Sequence, residues 1–285
     1  MTVSIVTPSY NQARFIERTL ESVIEQDVPG LEHVVFDGAS TDGTVDILRR
    51  YDHRLFWMSE KDRGQTHAVN KGLHTTKGSI IGWLNSDDIY YPGAVRKVLR
   101  VLDENPDIDV VYGLADHIDV QDRAFEPYPT EPWDFDRLRD TCFLCQPAVF
   151  FRRRVIERCG MLDERLTYCM DYEYWLRIAT MGARFCYLEE KLSGSRLYAG
   201  NKTLGSRVKV HAEINDMQRR LLGRVQDAWL YNYAHAVVEA RVDRSKHPRR
   251  FVWEVGVRSL LAAMWWNHGI SNDMRQVTKN WLLKR

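Results

Sequence analysis

Four short apolar runs, each separated from the next by a stretch of helical spacing, constrain this 285-residue chain more than any other feature. The runs are VSIVTP, HVVFDG, LFWMSE and GSIIGWLN. The first is nearly continuous in apolar residues and stops at Pro8, as a strand buried on both faces does. After it, Ile16, Leu20, Val23 and Ile24 recur at i, i+4, i+7 and i+8, the apolar face of a helix. A second helix is predicted from about Thr44 to Tyr51, after the turn-rich ASTDG, and a third over GQTHAVNKGLHTT. Strands alternating with helices predict an α/β fold with a doubly wound, mostly parallel sheet. Ligands of such sheets sit beyond the carboxyl ends of the strands. The residues expected there are Thr7, Pro8, Ser9 and Tyr10, then Asp37-Gly38, Ser59-Glu60, and Asn85 to Asp88.

The stretch GWLNSDDIYYPGAV ends one apolar run on two adjacent carboxylates, Asp87 and Asp88. Two like charges side by side are unfavourable unless they are solvated, capping a helix or sharing a cation. One explanation is a helix start, with acids first, then Pro92 and a helix from about Gly93. The other is a divalent-metal site. The first strand-to-helix turn, PSYNQA, offers no Gly-x-Gly-x-x-Gly, which weighs against a nicotinamide or flavin dinucleotide. Phosphates bound at this edge would need another source of positive charge, and a cation on Asp87 and Asp88 would supply it.

Composition removes further classes. The formal net charge is +1, so charge gives no reason to expect a nucleic-acid partner. The start MTVS has no basic region or long apolar stretch, and no run is long enough to span a bilayer, so a cytoplasmic location is expected. The five cysteines form no framework and are expected to be reduced. Cys142-Phe143-Leu144-Cys145 has metal-ligand spacing without a second pair, and a buried apolar patch explains it better than zinc.

Beyond Asp109 the alternation weakens. DVVYGLADHIDV reads as a strand, and CFLCQPAVFFRRRVIERCG as a strand leading into a basic helix. MDYEYWLRIATMG reads as a helix with Tyr174, Trp175, Ile178 and Met181 on its apolar side, ended by Gly182. Asp171 stands at its start, where a first-turn acid alone stabilises a helix by about 1 kcal/mol. From Gly205 onward no strand is evident. Ile214, Met217, Leu221 and Val225 predict a long amphipathic helix, and the tail from Arg249 is helical, basic and rich in tryptophan. A boundary near Leu204 separates an α/β region, 1–204, from a helical one, 205–285.

Taken in order, SIVTPSYNQARFIERTLESVIEQ, VVFDGASTDGTVDIL, EKDRGQTHAVNKGL, GWLNSDDIYYPGAV and CMDYEYWLRIA resemble the family 2 glycosyltransferases, inverting enzymes of the GT-A fold. The resemblance spans roughly residues 2–200. It implies a Rossmann-like GT-A sheet with a C-terminal helical extension, a nucleotide-sugar donor, and Mn²⁺ or Mg²⁺. By motif, Thr7, Pro8, Ser9 and Tyr10 would line the nucleotide pocket, and Asp37 would accept a hydrogen bond from the base. Gln65, Asn70 and Lys71 would approach the donor, and Asn85 and Asp87 would contact it as well. Asn85-Ser86-Asp87-Asp88 occupies the place of the Asp-x-Asp motif, Asp87 and Asp88 being the metal ligands. Asp171 would be the catalytic base. Two departures stand out: Asn85 replaces the first acid of the motif, and Tyr198 takes the place where many relatives carry a metal-binding histidine. His211 would then be the substitute ligand or, on base rates, a solvated helix histidine.

The reaction so implied moves a sugar to a hydroxyl of a saccharide or lipid-linked saccharide. A UDP-sugar is favoured, and dTDP- or GDP-sugars share the required N–H donor; cytosine presents an acceptor there. A nucleotidyltransferase, a nucleotide-sugar hydrolase and a non-catalytic carbohydrate-binding module are the rival classes. In the tail, Phe251, Val255, Arg258, Leu261 and Trp265 are expected on one helix side, with Val252 and Leu260 widening it. Trp265, Trp266 and Trp281 suit a membrane interface, and Arg249, Arg250, Arg258, Arg275, Lys279, Lys284 and Arg285 outnumber Glu254 and Asp273. Residues 249–285 are expected to pack on protein, in this subunit or a second one, or to dock on the inner membrane face.

Overall fold

A computed structural model describes residues 1–198, 200 and 204–283; Lys284 and Arg285 lie outside them. The elements run β1 (Val3–Ser9), α1 (Ile16–Ile24), β2 (Glu32–Asp37), α2 (Thr44–Arg50), β3 (Phe56–Ser59), α3 (Gln65–Thr75), β4 (Ile80–Trp83), β5 (Ile89–Tyr90), α4 (Ala94–Glu104), β6 (Val110–Ile118), β7 (Ala124–Pro127), α5 (Phe135–Asp140), β8 (Val149–Arg152), α6 (Arg153–Cys159), α7 (Met170–Thr180), β9 (Phe185–Arg196), α8 (Arg207–Leu222), α9 (Asp227–Glu239), α10 (Pro248–Asn267) and α11 (Asn272–Leu283).

The chain divides into two compact units, residues 1–134 with 143–198 and residues 135–142 with 199–285. The first holds one sheet in the order β3-β2-β1-β4-β8-β6-β9-β5, with β7 on the edge of β6. The four strands read from the sequence are parallel to one another. Beyond them β8 runs antiparallel to both β4 and β6, while β9 is parallel to β6. Strand β1 is buried along its whole length. Its pairing with β4 stops at Val6, two residues before Pro8, whose nitrogen has no proton to give a ladder. Helix α3 presses on β1 so closely that a methyl at Gly72 would lie 2.2 Å from Val6 Cγ1. That approach brings the start of α3 to the ends of β1 and β4.

The core lies under this sheet, with Ile5, Ile80, Leu84, Val98, Val111 and Phe150 fully buried. Each such side chain contributes roughly 1.5–3 kcal/mol by leaving water. Cys145 belongs to the same core, in keeping with the apolar explanation of its motif. In α7, Tyr174, Trp175 and Ile178 are buried as expected, but Met181 follows the helix and is exposed.

The second unit is helical. Gln218 and Trp229 both donate to the Arg139 carbonyl, which ties the short α5 to α8 and α9. Ala234, Val238 and Val242 pack with Phe251 and Val255 of α10. Helix α8 stops at Gly223, left-handed at φ 73°, so Val225 falls beyond it, though fully buried. His211 is not a solvated helix residue: its ring lies 5.9 Å from that of Trp229, and burial lowers its pKa to about 4.

Candidate active site

The parallel register sets Ser9, Asp37 and Ser59 opposite one another at the ends of β1, β2 and β3. Asp37 is only 2% exposed. Its carboxylate accepts from the Ser40 amide at 2.9 Å, Ser40 Oγ at 2.5 Å and Ser59 Oγ at 2.6 Å. About four lone-pair directions serve a carboxylate, so about one remains for a ligand. Ser9 Oγ is buried without a hydrogen-bond partner among the described residues, an available group in the same row. Next to it, Tyr10 is 63% exposed. Gly38 makes room for this ring: a Cβ there would lie 3.3 Å from Tyr10 Cδ2 and 2.8 Å from Asp62 Oδ2. Pro8 is buried in β1. Thr7, expected from the motif to line the pocket, does not do so with its side chain. It is fully buried, its hydroxyl 3.0 Å from Nε2 of a His33 that burial holds neutral, with a pKa lowered to about 3.

Beyond β4, Asn85 is a junction. Its Oδ1 accepts from Gln65 Nε2 at 2.8 Å and from Trp83 Nε1 at 3.0 Å. Its Nδ2 donates to Gln146 Oε1 at 2.8 Å and to Asp88 Oδ2 at 3.4 Å. An indole N–H only donates, so Trp83 fixes which end of the amide is the acceptor. An aspartate could not make the two donations. This explains the amide at the first position of the acidic motif, and it corrects Asn85 from a donor contact to a framing residue.

The helix expected from about Gly93 is present and begins at Ala94, but β5 intervenes, so Asp87 and Asp88 do not cap it. Asp88 is 4% exposed, and its Oδ1 accepts the Arg196 amide at 2.8 Å. Burial and the adjacent Asp87 charge push its pKa well above the usual carboxylate range. Asp88 thus braces the loop from within and is corrected from direct metal ligand to support. Asp87 is half-buried, and burial also raises its pKa. Its Oδ2 accepts from the Tyr198 hydroxyl at 3.1 Å. The Tyr198 ring rests 4.9 Å from that of Phe15. Tyr198 therefore orients the Asp87 carboxylate. Among the described residues no three His, Cys, Asp or Glu side chains are gathered as a metal cage.

Sequence reasoning missed the residue that carries this loop, Arg196. It is 1% exposed, and its Nε donates to the Asp87 carbonyl at 2.7 Å. Its Nη1 donates to the Asp119 carbonyl, and Nη2 pairs with Asp122 at 2.5 Å. The guanidinium also lies 4.8 Å over the Phe15 ring. No local pattern announces it, since its partners are 74 to 109 residues away. Gln146 was missed for the same reason.

Helix α3 connects the loop to the last candidate. Gln65 reaches Asn85, while the next residue, Thr66, donates to the Leu166 carbonyl at 3.0 Å, shortly before α7. Asn70 is corrected from a donor contact: it is buried, donating to the Leu162 carbonyl at 3.0 Å and accepting the Leu162 amide at 3.1 Å. Lys71 is paired with Glu60 at 2.6 Å, above the Phe36 ring. Asp171, in the first turn of α7, accepts the Tyr172 amide at 2.8 Å, and burial raises its pKa. Its neighbour Glu173 is locked onto Arg177 at 2.8 Å, so the acid of this turn that is free to act is Asp171.

Residues 4–160 match the family model described as Glycosyl transferase family 2. That span is more than half of the chain, and the protein belongs to this family. An uncharacterised glycosyltransferase of Rickettsia prowazekii (strain Madrid E) is 27% identical over 70% of this chain and 65% of its own length. Chondroitin synthase of Escherichia coli is 27% identical over 74% of this chain and 31% of its own. The chain thus spans slightly less than two thirds of the Rickettsia relative. Among solved structures, S. aureus TarS residues 1–349 in complex with UDP-GlcNAc superposes with a TM-score of 0.68, at 16% identity, covering 99% of this chain and 89% of that one. Mannosyltransferase PcManGT of Pyrobaculum calidifontis, in complex with GDP-Man and Mn²⁺, gives 0.62 at 20% identity, covering 99% and 84%. These likenesses establish the GT-A fold.

Proposed function

We propose that this chain is an inverting glycosyltransferase that moves a sugar from a nucleotide-diphosphate donor to a hydroxyl of a saccharide or lipid-linked saccharide. The acceptor oxygen attacks the anomeric carbon as the bond from that carbon to the diphosphate breaks, and the hydroxyl proton passes to Asp171. The observation that carries this reading is the state of Asp171: its pKa is raised by burial, its rival Glu173 is occupied, and its segment is tied to the same end of α3 that holds Asn85. A positioned base of this kind accelerates such a step by about 10²–10⁴.

The base would stack on exposed Tyr10 and meet the remaining acceptor direction of Asp37, which suits uracil, thymine or guanine and disfavours cytosine. The oxygen donors fit a hard cation shared with the diphosphate, held by Asp87 and positioned through Tyr198. Such a cation, when bound, supplies charge neutralisation of the leaving diphosphate. With one accessible carboxylate, the site is expected to hold Mn²⁺ or Mg²⁺ chiefly together with the nucleotide.

A panel of nucleotide sugars, with and without Mn²⁺ and a saccharide acceptor, tests this by nucleotide release and product mass. Acceptor-dependent release that disappears in Asp171→Asn supports transfer. Release independent of acceptor would mark a hydrolase, and no release with any donor would mark a binding module.

A further inference from the structure

Helix α10 is built inside out relative to an ordinary surface helix. Its buried side carries mostly small residues, Gly256, Ser259, Ala262 and Ala263, behind Phe251 and Val255. Five of its other large apolar residues point the other way. Trp253 is 56% exposed, Leu261 62%, Met264 51% and Trp265 74%. Of the eleven exposed large hydrophobics among the described residues, five lie on this one helix, counting Val252. At 100° per residue, Trp253, Leu261, Met264 and Trp265 fall within about 120° of arc, one continuous stripe about 18 Å long.

The other tryptophans of the tail are accounted for. Trp266 donates to Asp216 at 2.7 Å and packs edge-on to Tyr233, and Trp281 packs on Tyr231. Hence the stripe is Trp253 and Trp265, not the Trp265, Trp266 and Trp281 set expected from sequence. Leu261 and Trp265 also stand apart from Phe251 and Val255, which are buried. At the amino end of the stripe Arg244, Lys246, Arg249 and Arg250 are all exposed. The acids along this stretch, Asp243 and Glu254, pair with Lys246 at 3.6 Å and Arg250 at 2.7 Å, so the four cations still outnumber them. No helix among the described residues is long and apolar enough to cross a membrane.

We propose that this face of α10 docks on an anionic lipid surface, the stripe entering the interface and the basic cluster lying at the headgroups. Charge decides between occupants. A second copy would bring the same cluster of cations against the first or leave it unused, whereas an anionic bilayer complements it, and tryptophan at both ends of an apolar stripe suits the interface. The proposal does not depend on the transferase reading.

The test is co-sedimentation of the full chain with phosphatidylcholine vesicles and with vesicles also carrying phosphatidylglycerol. Binding is expected for the anionic vesicles and is expected to weaken with salt. Because the side chains are exposed, the combined variant Trp253→Ser, Leu261→Ser, Trp265→Ser should keep its helical circular dichroism and lose binding. The milder variant Lys246→Ala, Arg249→Ala should weaken it by about thirtyfold, which keeps the test valid if the apolar variant misfolds. Absence of vesicle binding, or equal binding to neutral vesicles, overturns the proposal. So does a wild-type dimer in sedimentation velocity that the apolar variant converts to monomer while wild-type chain ignores lipid.

Discussion

The loop at Asn85 to Asp88 and the start of α7 both present carboxylates to the candidate site, yet they are built in opposite ways. Around the loop, Asn85 makes four hydrogen bonds, Asp88 accepts the Arg196 amide, and the Arg196 guanidinium holds Asp87 and the β6–β7 hairpin. At α7, Asp171 is met by the backbone start of its own helix. A group that holds a cation and a diphosphate in place gains from rigid support. A group that takes a proton gains from a raised affinity for it, which burial with few donors provides. On the proposed reading, density of hydrogen bonding separates the framing side of the site from the reacting side.

The largest effect that would break this contrast is expected at Asp171. Asp171→Asn should lower turnover by about two to four orders of magnitude while nucleotide affinity, measured by calorimetry, stays nearly unchanged. Retained turnover would return Asp171 to a helix-start role. On the framing side, Asn85→Asp turns two donations into facing acceptors beside Asp88, and should cost roughly 2–3 kcal/mol in denaturant unfolding. A variant as stable as the parent would show that the amide is not needed as a donor.

A smaller effect is expected for Tyr198→Phe, which keeps the ring on Phe15 and removes the hydroxyl from Asp87. Loss of about 1 kcal/mol corresponds to roughly fivefold weaker nucleotide binding in Mn²⁺, with less change when the cation is withheld. An equal loss with and without Mn²⁺ would argue for a general structural role. The smallest effect concerns sign. Burial raises the folded-state pKa of Asp171, so above that pKa its charged form costs stability, and the cost is relieved as pH falls through it. Asp171→Asn should therefore raise the melting temperature at neutral pH and lose that advantage in acid. A helix-start acid would give the opposite result at neutral pH, since its charge would favour the helix.

Much of the first half was legible without coordinates. The apolar runs and their helical partners predicted β1 to β4, and parallel strands bring their carboxyl ends together, so Ser9, Asp37, Ser59 and the Asn85–Asp88 loop had to share an edge. Strand β3 and helix α7 were readable for the same reason, because their spacing is local. The short α5 was not, since Phe135 to Asp140 belongs to the helical unit while the sequence on either side belongs to the sheet.

What the sequence determined by itself was which chemistry is present: an acidic strand end, an aromatic beside it, acids at a helix start. Only the tertiary structure decided which of those groups are free. Thr7 is spent on His33, Asn70 on Leu162, Glu173 on Arg177 and Asp88 on Arg196. Helical spacing in α10 could mark apolar positions but not which arc faces protein, and the fold turned Trp253 and Trp265 outward. The physical reason is range. Periodicity and capping act over a few residues, whereas a hydrogen bond from Asn70 to Leu162 spans 92 positions and that between Asp88 and Arg196 spans 108; such partners exist only once the sheet has formed.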